Sequence, residues 1–280
     1  MMEPTERLID VGIRLQVREW QGEGETRPFL LVHGLSSNAR TWDGVARILA
    51  ENGHPVTAVN QRGHGQSDKP DEGYDFATIT ADLRKLIDAL GWEKPALVGQ
   101  SWGGNVLLEF GARYPGVASH LVFVDGGFLE LHQRGSWEQV SEQLHPPVFQ
   151  NTPRAALKAR IATAQPEWTD DGLEATLHNF ETLPDETIRP WLSLDRHMKI
   201  LRAMYDQQPA VLYPQVQEPV LICAADDGSE WARHKRGAVA AAGAAIPHAE
   251  IRWFEQTAHD IHVHRPELLA RTMLDFVEKN

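Results

Sequence analysis

One serine, Ser101, stands in the stretch VGQSWGG, with Gly99 two residues before it and Gly103 two after. The apolar run PALVG leads into it, and NVLLEFGARY, with helical spacing, leads away to Pro115. A strand that ends at Gly-x-Ser-x-Gly and turns straight into a helix makes a tight corner. The strained backbone there lifts the serine hydroxyl out of the sheet. Glycines are required on either side because side chains would collide with the adjoining strand and helix. The helix N-terminus favours negative charge developing beside it. The chemistry this suggests is nucleophilic attack by Ser101.

A serine hydroxyl needs a base. The chain has 13 histidines, and one stands out by position. In WFEQTAHDIHVHRPELL, His259 follows the last strand pattern and precedes the final helix. In a parallel sheet that loop opens on the same edge as Ser101. His33, ending the strand-like LVHG, is read as a packing or hydrogen-bonding residue. A tetrahedral intermediate would need backbone N–H donors. These are expected from Trp102, next after the serine, and from Leu35 in VHGLSS. His262 and His264 raise the thought of a metal site. They fall at the start of a helix, however, with no cysteine or second histidine pair in support. No metal is expected.

The elements that must hold these residues follow from hydrophobic periodicity. IRLQVREW (Ile13 to Trp20) alternates as a half-buried strand does, and GEGE then marks a turn. PFLLVHG, HPVTAVN, PALVG, SHLVFVD, PVLICAA and AEIRWFE are short runs of strand character, most of them continuously apolar. Such runs fit strands buried on both faces of a parallel sheet. Ile79, Leu83, Leu86, Ile87 and Leu90 share one helical face before Gly91. A last helix is expected from about Pro266 to Val277. Strands alternating with helices mean an α/β fold. From Leu129 to Tyr213 the strand signal vanishes. AALKARIA and DRHMKILRAMYD read as helices among Trp137, Phe149, Trp168, Phe180 and Trp191. An aromatic helical insertion suggests a lid, although most of these rings suit a small core of its own. Met198 and Met204 likewise suit a core.

The bulk numbers exclude several classes. The 280 residues suffice for one large domain with an insertion. A net charge of −12 argues against nucleic acid and anionic membrane as partners. The single cysteine, Cys223, rules out an intrachain disulfide and reads as a buried small hydrophobe. MMEPTERLID has no signal-peptide pattern, so a cytoplasmic soluble protein with a small-molecule substrate is expected. The oligomeric state stays open. No cofactor is expected, for want of a Gly-x-Gly-x-x-Gly after the first strand.

In their order along the chain, LVHGLSS, NQRGHGQSDKP, VGQSWGG and TAHDIHVHRPE resemble the α/β-hydrolase fold superfamily. More narrowly, they are similar to its lidded serine hydrolases. The resemblance covers nearly all of the chain except the lid. It implies a mostly parallel eight-stranded sheet flanked by helices, with a helical cap inserted after the sixth strand. Residues 1–128 and 213–280 would form the core and 129–212 the cap. It also implies a nucleophile, an acid and a histidine in that order, here Ser101, an aspartate and His259. The acid departs from the family pattern, because the usual spacing falls on Gly228 in PVLICAADDG. A turn one residue shorter makes Asp227 the first choice, with Asp226 beside it. The competitor is Asp125, ending LVFVDGG, since some relatives take the acid from that earlier strand. Its bland role would be to cap backbone donors at the strand end. Asp260 is expected to point away and tether its loop, and Arg62, His64 and Asp68 to hold loops together. The activity implied is cleavage of a small apolar or aromatic carboxylic ester. The carbon–carbon bond hydrolases, a non-catalytic small-molecule receptor and an inert scaffold are the alternatives. Epoxide hydrolases and haloalkane dehalogenases use an aspartate nucleophile, which this chain lacks at position 101.

Overall fold

The computed structural model describes residues 3–24 and 26–279. Met1, Met2, Glu25 (the end of the expected turn at 22–25) and Asn280 lie outside the described residues. Eight strands form one sheet in the order β1-β2-β4-β3-β5-β6-β9-β10. They are β1 (Thr5–Asp10), β2 (Arg14–Trp20), β3 (Phe29–Val32), β4 (Val56–Val59), β5 (Ala96–Gln100), β6 (His120–Val124), β9 (Val220–Asp226) and β10 (Ala249–Glu255). A separate hairpin joins β7 (Phe180–Thr182) to β8 (Ile188–Pro190). β2 pairs antiparallel with both β1 and β4, and every other pairing in the large sheet is parallel.

The apolar runs become central strands because their alternate residues feed two cores. Leu30, Val32, Leu97, Leu121, Phe123 and Ile222 face one layer, which includes α2 (Phe76–Ala89), α3 (Trp102–Arg113) and α9 (Glu230–Ala245). Phe29, Leu31, Val98, Val122 and Leu221 face the other, built on α1 (Asp43–Glu51) and α11 (Pro266–Lys279). Cys223 is buried in this second layer. Parallel strands make all the connecting loops that follow them open along one sheet edge. Residues after β3, β5, β6, β9 and β10 therefore meet there, at the carboxyl ends of the strands.

Between β6 and β9 lie α4 (Trp137–Gln143), α5 (Arg154–Ala164), α6 (Asp170–Leu177), α7 (Leu194–Asp206) and the short α8 (Pro209–Leu212). Leu157, Leu177 and Ile188 form a small core there, with Phe149 and Phe180 packed on it. The β7–β8 hairpin departs from the expectation of no strands in this stretch. Its strands of three residues are too short to display an alternating pattern. α10 (Ile261–His264) closes the loop that carries His259. Among the described residues no helix is long and apolar enough to cross a membrane.

Candidate active site

Ser101 sits between β5 and α3 with φ 52° and ψ −119°, a conformation costly for a residue with a Cβ. The crowding explains the glycines around it. A Cβ on Gly99 would run into the Gly103 carbonyl, and one on Gly103 into the backbone of Val32 and His33. Trp102 is the first residue of α3, so its N–H belongs to the first turn, which has no intrahelical acceptor. Its indole is fully buried and stacks on His64 at 5.7 Å, so the side chain packs rather than lines a pocket.

His259 follows β10 and donates from Nδ1 to Asp125 Oδ2 at 2.6 Å. The acid is where sequence spacing and structure part company. Asp125, not Asp227, lies against the histidine. Asp227 is exposed and accepts the Ser229 N–H at 2.9 Å in its own turn. Asp226 accepts the Gly228 N–H at 2.9 Å and pairs with Arg236. The physical cause is a difference in strand length. β6 stops at Val124, opposite Cys223, while β9 continues to Asp226. The Ala225 N–H is thus left without a strand partner on that side, and Asp125 Oδ1 accepts it at 2.9 Å. Asp125 caps the strand end and meets the histidine at once. Like Ser101, it adopts a positive φ, 46°.

Sequence reasoning missed Lys235. From α9 its ammonium reaches both oxygens of Asp125, at 2.7 and 2.8 Å. The two side chains are only 4% and 2% exposed. Nothing in the local sequence marks this lysine, which stands in the basic run Arg233-His234-Lys235-Arg236 like its exposed neighbours. Burial would raise the Asp125 pKa, but His259 and Lys235 together hold it below the usual carboxylate value. Desolvation would lower the His259 pKa, but the hydrogen bond and charge of Asp125 win and raise it. Lys235 opposes that rise. The His259 side chain keeps 48% of its surface accessible, and it borders the cavities described below.

The loop after β3 is held from two sides. The Ser36 N–H donates to His64 Nε2 at 3.2 Å, and Ser36 Oγ lies 2.9 Å from His197 Nδ1 on α7. Ser36 has φ 57°, a third strained residue at this edge. Burial pushes the His197 pKa down to about 4, so the imidazole is neutral near pH 7. His64 is likewise lowered by burial. Arg62 pairs with Asp82 at 2.7 Å, and Asp68 receives Arg14 at 2.9 Å, both fastening loops. His33 accepts the Gln61 N–H at Nε2. His262 stacks on Trp42, fully buried, with its pKa pushed down to about 3. His264 accepts the Ala258 N–H and reaches Glu167. Among the described residues no group of three or more His, Cys, Asp or Glu side chains is placed to hold a metal ion.

Two cavities meet at the serine and histidine. One of about 200 Å³ is bordered by Leu35, Gln100, Ser101, His259 and Asp260. Asp260 therefore faces the site, contrary to expectation, and accepts from Gln100 Nε2 at 3.3 Å. The other, of about 400 Å³, is bordered by Leu35, Ser101, Asp125, Met204 and His259. A third, apolar cavity of about 680 Å³ lies among Phe149, Phe180 and Trp191, and shares Leu144 and His197 with the second. Met198 packs against the core.

With this fold and edge, the chain belongs to the alpha/beta hydrolase fold family, whose model matches residues 27–166, half of the chain. It is 27% identical to the 2-(acetamidomethylene)succinate hydrolase of Mesorhizobium japonicum, over 97% of this chain and 95% of that protein. The crystal structure of an E-2-(acetamidomethylene)succinate hydrolase superposes with a TM-score of 0.80 at 25% identity, covering 99% of this chain and 100% of that one. Epoxide hydrolase A of Mycobacterium tuberculosis is 42% identical over 38% of this chain and 34% of its own length. The chain thus spans about a third of such relatives.

Proposed function

We propose that the protein is a serine hydrolase that cleaves a small carboxylic ester through an acyl-enzyme. Ser101 is the nucleophile, His259 the general base and Asp125 the acid that orients it. The observation that carries this reading is the His259–Asp125 bond, on a ring that borders two cavities with a strained Ser101. Because Nδ1 is committed to Asp125, Nε2 keeps its lone pair for the serine proton.

In the first half-reaction the Ser101 oxygen bonds to the ester carbonyl carbon while its proton passes to His259. The Leu35 and Trp102 N–H groups hold the oxyanion. The carbon–oxygen bond to the alcohol then breaks, and His259 returns the proton to that alcohol. In the second half-reaction water attacks the acyl carbon, His259 takes its proton, and Ser101 leaves with it. Asp125 stays ionised throughout. Residues 129–212 act as a cap, and the apolar cavity beneath Phe149, Phe180 and Trp191 takes the hydrocarbon part of the substrate. The full-length relative named as a hydrolase supports the reaction class. The likeness to an epoxide hydrolase covers a smaller share, and position 101 holds serine.

The test is turnover of p-nitrophenyl butyrate by the protein and by Ser101→Ala, with fluorophosphonate labelling alongside. The expected result is turnover and labelling that both vanish in the variant. A protein no more active than Ser101→Ala, and unlabelled, would overturn the proposal. Labelling without ester turnover would move the chemistry towards carbon–carbon bond cleavage.

A further inference from the structure

The 400 Å³ cavity that holds Ser101 and His259 is also bordered by Asp125, Lys235, Arg134 and Trp231. Its charges do not cancel. Lys235 is spent on Asp125, which also holds His259. That leaves Arg134, at the end of a short 3₁₀ turn over Leu131–Arg134. Its guanidinium carbon stands 4.1 Å from the centre of the Trp231 ring, a cation–π contact. No carboxylate neutralises it among the described contacts. The nearest acidic side chain in its own turn, Glu130, accepts from Gln133 and lies 3.4 Å from His132. The surrounding protein lowers the Arg134 pKa with no anion to offset it.

Most arginines here are differently placed. Arg7, Arg14, Arg18, Arg62, Arg154, Arg189 and Arg196 each pair with a carboxylate. Arg134 is exposed, as is the Trp231 ring, so this unneutralised cation stands on the open rim of the reaction cavity in a protein whose net charge is −12. Arg134 also borders the next cavity, of about 530 Å³, so it lies between the two. A guanidinium presents parallel N–H donors that match a carboxylate in two-point contact.

The geometry points to a substrate that carries a carboxylate, bound by Arg134 at the mouth of the reaction cavity while its scissile bond lies at Ser101. This rests on the serine-hydrolase reading and names the substrate class for it. Trp231 packs against the guanidinium, and Lys235 is tied to Asp125 rather than free to compete for the anion.

The test uses matched esters that differ in charge. Mono-p-nitrophenyl glutarate is compared with p-nitrophenyl valerate, and 4-acetoxybenzoate with phenyl acetate. One pair places the carboxylate on the acyl side and the other on the alcohol side. The protein is expected to favour the anionic member of at least one pair in kcat/KM. Arg134→Met is expected to lower that anionic-to-neutral ratio about tenfold to a hundredfold, and Arg134→Lys to retain part of it. Glutarate binding by calorimetry is read on the same proteins and should weaken in Arg134→Met. A ratio indifferent to Arg134, with glutarate binding also unchanged, overturns the inference even where ester turnover proceeds. Arg134-dependent glutarate binding without turnover of any ester would instead leave the anion site standing and sink the ester-hydrolase reading.

Discussion

Two strand ends lie side by side at the edge of the sheet, each with an aspartate followed by glycine. At the end of β6, Asp125 is buried and holds His259, Lys235 and a backbone N–H. At the end of β9, Asp227 is exposed and bonds only into its own turn, and Asp226 pairs with Arg236. The glycines differ in the same sense. A Cβ at Gly126 would strike the Ser101 carbonyl, whereas Gly228 has open space around it. The same local sequence chemistry thus yields a buried cluster at the proposed reacting centre at one strand end and a solvated turn at the other. The difference is made by what the neighbouring elements bring up against each end.

The comparison breaks most visibly at the carboxylates. Asp125→Asn should lower kcat for p-nitrophenyl butyrate by roughly 10³–10⁴-fold, because an amide at this position can present its NH₂ group to the ring and favour the wrong tautomer. Asp227→Asn should change it less than about twofold. The reverse pattern would return the acid to the β9 end.

Lys235→Met should come next. Removing one partner of a buried pair costs about 3 kcal/mol, read as a lower denaturation midpoint. The variant separates the β6 end from the β9 end a second time, since Arg236→Met, beside a half-exposed arginine, should cost at most about 1 kcal/mol. Equal losses would erase the distinction.

Gly126→Ala should destabilise by about 2 kcal/mol, through overpacking against the serine corner. Gly228→Ala meets no neighbour and should cost about 1 kcal/mol, from its φ of 77° alone.

The gentlest probe is pH. His259 has a raised pKa, so it is protonated, and idle as a base, up to a higher pH than an ordinary histidine. The acid limb of kcat/KM should therefore lie above about 6.5. Lys235→Met removes a neighbour that lowers this pKa and should move the limb further up. A limb that stays or moves down would show that the Lys235 charge does not lower the His259 pKa.

Much of this was legible in the chain and some was not. The corner at Ser101 and the loop at His259 could be placed because each is a local matter: glycine spacing, a period change, a strand pattern followed by a helix. The acid was not legible, since Asp125 and Asp227 both end apolar strands and both precede glycine. Lys235 was invisible. It lies 110 residues from Asp125, on a helix whose own pattern gives no reason for a buried ammonium. Asp260 faces the site because its carboxyl accepts from Gln100 instead of capping α10, a packing fact without a sequence signature.

By itself the sequence determined the layered α/β architecture and the corner that lifts one serine, because continuous apolar runs need two covered faces and that corner needs its glycines. Only the tertiary structure decided which aspartate serves the histidine. β6 ends short of β9, leaving a backbone donor for Asp125 to cap, and α9 delivers a lysine to the same carboxylate. Strand lengths and helix placement across the sheet set those contacts, and no window of neighbouring residues encodes them.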